Sequence, residues 1–90
     1  MNGICQRQIC IRKIELYEVG MLTYTLWETE LPDGRQYGMT VSLQGALGYE
    51  KKSIQDITTD KQQALNLFWK ISRGTVTPCT LAEVLSELLA

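Results

Sequence analysis

Met21-Leu22-Thr23-Tyr24-Thr25-Leu26-Trp27-Glu28-Thr29-Glu30-Leu31-Pro32-Asp33-Gly34-Arg35-Gln36-Tyr37-Gly38-Met39-Thr40-Val41-Ser42-Leu43 decides the fold. Leu22, Tyr24 and Leu26 alternate with Thr23, Thr25, Trp27 and Thr29. Tyr37, Met39, Val41 and Leu43 alternate with Gln36, Gly38, Thr40 and Ser42. Period two in stretches rich in Thr, Val and Tyr is the pattern of a half-buried strand. Leu31-Pro32-Asp33-Gly34 separates them, with Pro and Gly at the positions a tight turn favours, so the pair reads as an antiparallel hairpin. The apolar faces coincide if Leu26 opposes Met39 and Tyr24 opposes Val41, which requires an even-length loop and sets Trp27 against Gly38. A three-residue loop with a glycine bulge would instead turn Trp27 to the core. The even register is preferred.

Upstream, Ile14 and Leu16 share one face of a first strand running from about Ile11 to Val19, and Val19-Gly20-Met21 connects it to the second. Ile9 and Ile11 are out of phase with Ile14 and Leu16, so either a bulge lies near Arg12-Lys13 or the first ten residues stand apart. Gln44 to Gly48 reads as a loop, and Glu50 to Ile57 as a short fourth strand. Downstream the period changes. Thr59 and Gln62 fit a capping box for a helix over 59–73, with Ala64, Leu67, Phe68 and Ile71 at helical spacing and Gly74 as the stop. Thr77-Pro78 opens a second helix over 78–89 with a Leu81, Val84, Leu85 and Leu88 stripe. The expected architecture is α+β: one domain over 1–90, an antiparallel sheet of three to four strands, then two C-terminal helices packed on one face.

Composition narrows the function classes. The 90 residues are 44% hydrophobic and 21% charged, the balance of a globular domain rather than a disordered chain. A net charge of −1 lacks the basic excess that a phosphate-binding surface needs, so nucleic acid is not an expected partner. The chain has no histidine, which removes the commonest general base, the usual zinc nitrogen ligand and every Ser-His or Cys-His pair. The N-terminus has no apolar core of a secretory signal, and its Gly3 stands one position late for myristoylation. Its apolar runs are too short for a membrane helix, so the expected location is cytoplasmic.

Five groups of residues could bear chemistry. Cys5, Cys10 and Cys79 are odd in number, and the four residues between the first two exceed the spacing of redox pairs and most zinc knuckles. They read as free thiols, with Cys79 favoured for reactivity only by its place near a helix N-terminus. Glu83 and Glu87 share one helix face, a pattern that suits acid–base work or a divalent cation, but their place opposite the apolar stripe reads as a solvated face. Glu15, Glu18, Glu28 and Glu30 form an acidic strip of the kind that guards strands against edge pairing. Arg7, Arg12 and Lys13 are too few for useful nucleic-acid affinity, and Gly45-Ala46-Leu47-Gly48 lacks the Lys-Ser/Thr of a phosphate loop.

Two apolar residues fall outside the expected core. With Asp60 at 0°, steps of about 100° centre the buried face of the first helix near 35°, while Leu65 falls at about 140° and Trp69 at about 180°. Leu65 and Trp69 are therefore candidates for a partner-binding or self-association patch.

Tyr37-Gly38-Met39, Asp56-Ile57-Thr58-Thr59-Asp60-Lys61, Val76-Thr77-Pro78 and Leu81 to Leu89 together resemble a family of short proteins of unknown function from anaerobic Gram-positive bacteria. The resemblance spans residues 22–90 and rests mainly on the two-helix half. It implies no activity. The chain departs from the family pattern at Thr80, where many members carry His, and at Leu65 and Trp69, where members tend to be polar. The resulting expectation is a non-enzymatic protein–protein interaction module of the bacterial cytosol, with no cofactor and with a protein partner or self-association. The alternative is a small metal- or redox-active protein using its Cys and Glu residues.

Overall fold

In a computed structural model, which describes residues 5–89, four antiparallel strands precede two helices. The strands are β1 (Cys5–Leu16), β2 (Gly20–Leu31), β3 (Gly34–Gly45) and β4 (Gly48–Thr58), in the spatial order β1-β2-β3-β4. Helix α1 (Lys61–Arg73) leads through a 3₁₀ turn (Pro78–Thr80) into α2 (Leu81–Leu89). Each strand pairs with its sequence neighbour, so the sheet is a meander with β1 and β4 as open edges. This is the expected α+β architecture.

The hairpin register follows from its turn. Leu31 pairs with Gly34 across the two residues Pro32 and Asp33, and the ladder continues through Trp27–Gly38, Leu26–Met39 and Tyr24–Val41. The even loop keeps both apolar faces on one side, so Leu22, Tyr24, Leu26, Tyr37, Met39 and Val41 are all buried. Trp27 stays on the other face, where its indole Nε1 donates to Thr40 Oγ1 at 3.0 Å.

The first strand differs from expectation in its start and its irregularity. It begins at Cys5, so residues 5–10 do not stand apart, and the slip lies between Gln8 and Cys10 rather than at Arg12-Lys13. Ile9 is the extra residue there. That bulge places Arg7 opposite Glu28, Arg12 opposite Tyr24 and Ile14 opposite Leu22. Ile11, facing away from the helices, is 50% exposed. The β1–β2 connection is Tyr17-Glu18-Val19, two residues earlier than the pattern suggested, and the β3–β4 connection shrinks to Ala46-Leu47. The N-terminal readings for residues 1–4 lie outside the described residues.

Helix α1 packs on β2, β3 and β4 through Ala64, Leu67, Phe68 and Ile71, the four residues that the helical period selects. Its N-cap is Asp60 rather than Thr59: the Asp60 carboxylate accepts from the Gln62 N–H at 3.0 Å. Thr58 takes a supporting role, accepting from the Asp60 N–H and donating to Gln63 Oε1. Gly74 caps the C-terminus, its N–H bonding to Lys70 O. In α2 only Leu81 and Leu85 are fully buried, while Val84 is half-buried and Leu88 is 38% exposed. The expected stripe is shorter than drawn because the nine-residue helix packs mainly through its first turns.

Candidate functional site

Trp69 stands on the side of α1 that turns away from β3 and β4 and reaches the edge strand β1. It is 49% exposed, the largest aromatic surface on either helix. Its ring meets Phe68 edge-on at 5.8 Å between centroids. The Arg12 guanidinium from β1 lies 5.4 Å from the Trp69 ring centroid, within cation–π range. Arg12 Nη1 also donates to Ser72 Oγ at 3.4 Å, and Ser72 Oγ donates to Trp69 O at the same distance. Arg12 thus ties the edge strand to the last turn of α1 and holds the indole in place. Leu65 differs from the expected fully exposed partner. It is half-buried and packs against the hydrophobic core.

A second polar cluster closes the other end of the helix-covered face. Glu28, only 4% exposed, accepts from Tyr37 Oη at 2.8 Å and from Arg7 Nε at 2.9 Å. The Tyr37 hydroxyl, with help from Arg7, holds the Glu28 carboxyl below its ordinary range against the opposing effect of burial. Burial, and then the bond to Glu28, push Tyr37 upward. Every buried hydrogen-bonding atom of this cluster is satisfied, so it is a fastening between β1, β2 and β3 rather than a reactive centre. The spacing of Leu22, Tyr24, Leu26 and Glu28 already places this glutamate on the core face, a signal that reading it with an acidic strip overlooked.

The remaining candidates do not converge. Glu15, Glu18 and Glu30 are exposed, separated from buried Glu28, so no acidic strip forms. Glu83 and Glu87 are exposed on α2. Cys5 and Cys79 are exposed thiols and Cys10 is half-buried. Five residues of extended strand hold Cys5 and Cys10 about 15 Å apart. Among the described residues no three Cys, Asp or Glu gather as metal ligands. Gly45 to Gly48 form a hairpin turn between strands, with no helix N-terminus to face a phosphate. Of the three basic residues near the N-terminus, Arg7 is paired with Glu28 and Arg12 is held by Trp69 and Ser72. Lys13 and Glu15 make no ion pair among the described residues. No described helix is long and apolar enough to cross a membrane.

No curated protein and no solved structure gives a significant match to the chain. A family model does match, over residues 4–90, so the likeness extends through β1 and the whole sheet and not the helical half alone. The chain belongs to this family, described as a family of unknown function (DUF6514).

Proposed function

We propose that this chain is a non-enzymatic protein–protein interaction module of the bacterial cytosol, docking through the surface formed by Trp69, the exposed side of Leu65 and the adjoining edge of β1. The observation that carries this reading is the half-exposed Trp69 ring, fixed by Arg12 directly beside a strand edge without a neighbour. An aromatic side chain held rigid at a solvent boundary gives large contact area at low entropic cost, the property of interface anchors. An edge strand adds unpaired backbone donors and acceptors to the same surface. Nucleic acid does not fit this surface, because two of the three nearby cations are already engaged within the chain. The odd, separated cysteines favour a reducing compartment and argue against a redox pair.

The test is Trp69→Glu, followed by thermal unfolding and by oligomeric state or partner capture. An interface anchor predicts a folded variant that loses its association. A collapse in thermal stability would assign Trp69 to the core and end this reading.

A further inference from the structure

We infer that the partner at this surface is a second copy of the same chain, added edge to edge through antiparallel β1–β1′ pairing centred on Ile14, to give a continuous eight-stranded sheet. The inference rests on the docking reading above and names its occupant.

Antiparallel neighbours set residue i against a residue on the same sheet face, so each two-fold register can be judged by the pairs it makes. The bulge at Ile9 confines regular pairing to Cys10–Leu16. Registers centred on Arg12, Lys13 or Glu15 oppose a charge to its own copy, which is unfavourable. Centred on Ile14, the same strand becomes self-complementary. Lys13 meets the second copy's Glu15 and Glu15 meets its Lys13, joining two charges that make no ion pair among the described residues of one chain. On the helix-covered face Arg12, whose guanidinium stacks on the Trp69 ring, aligns with the half-buried Leu16 of the second copy.

The other edge does not offer this. On β4 the register that would pair Glu50 with Lys52 sets Lys51 against its own copy, and lysine at a sheet edge ordinarily prevents pairing. In the register that aligns the two basic runs, a β1–β4′ contact, which would propagate into a fibre, opposes Arg12 to Lys52 and Lys13 to Lys51.

Charge exchange tests the register. Lys13 and Glu15 are exposed, so Lys13→Glu and Glu15→Lys should leave the thermal transition of the monomer fold unchanged. At low ionic strength, sedimentation should show a dimer for the native chain. Each single variant should weaken it by about tenfold or more, since both cross-strand pairs become repulsive. The double exchange Lys13→Glu/Glu15→Lys should restore the dimer, and an equimolar mixture of the two single variants should form a heterodimer. A native chain that stays monomeric at its solubility limit overturns the inference, as does a dimer indifferent to both exchanges. Neither result touches the docking reading, which fails separately if Trp69→Glu destroys the fold.

Discussion

The Tyr37 hydroxyl donates to the Glu28 carboxylate at 2.8 Å from the facing strand, and both residues are almost wholly buried. Arg7, largely exposed, reaches in from β1 to the second oxygen. The pair therefore stitches three strands at the end of the sheet where the chain enters, and the tyrosine supplies the donor that makes a buried carboxylate tolerable.

Tyr37→Phe should lower stability by about 1–3 kcal/mol at neutral pH, since it leaves a buried carboxylate short of a donor. The pH dependence follows from the direction of the shift. Glu28 has its folded-state pKa below its ordinary value of 4.5, so its contribution is complete above that value. It is lost as pH falls through the lower folded-state value. Urea unfolding of the native chain and of Glu28→Gln should show a gap at pH 7 that narrows under acid. A constant gap would mean that the charge on Glu28 does not matter.

What could be read from the sequence depended on how local its cause was. The β2–β3 register was legible because Pro32-Asp33 fixes loop parity and parity fixes every pair from Leu31–Gly34 onward. The buried face of α1 was legible for the same reason, as a period of one element. Residues whose role is set at long range were not. Arg12 meets Ser72 across sixty positions, and nothing in either local pattern announces that contact or its consequence for Trp69. Leu65 sits at a helical angle that looked free, yet the core curves far enough to half-bury it. The bulge at Ile9 left a phase error that was visible but not locatable, because a one-residue slip can be placed anywhere between two in-phase stretches.

Tyr24 gives an alkaline counterpart. Its hydroxyl donates to the Val76 carbonyl at 2.9 Å, fastening the segment after α1 to the centre of β2. Burial pushes its pKa up to about 12, partly offset by Arg12. A group with a raised pKa contributes its full stability below its ordinary value of 10.0 and loses it as pH rises toward 12. Tyr24→Phe should cost about 1 kcal/mol at neutral pH through the lost bond. It should also flatten the fall in stability between pH 10 and 12, as followed by fluorescence-detected unfolding. An unchanged alkaline slope would show that Tyr24 is not the group responsible.

Gly38 tests what holds β4 against β3. Trp27 lies opposite it in register, and covering by that ring is one reason for a glycine here. The backbone gives a stronger one: a Cβ at position 38 would stand 2.8 Å from Ile54 O and 3.1 Å from Gln55 Cα, beside the irregularity where β4 slips against β3. Main-chain atoms cannot swing aside as a side-chain tip can, so β4 must shift as a unit to admit a methyl group. Gly38→Ala should therefore destabilise the fold by about 1–3 kcal/mol, the range of an overpacked site, although alanine is otherwise the better strand residue. Lys51→Ala on exposed β4 is the control and should stay within about 0.5 kcal/mol. Hydrogen exchange should localise the Gly38→Ala loss to amides of β3 and β4 around Met39 and Ile54. If the variant matches the native chain in thermal unfolding, the close approach of Ile54 is not what requires glycine, and the Trp27 cover becomes the better reason.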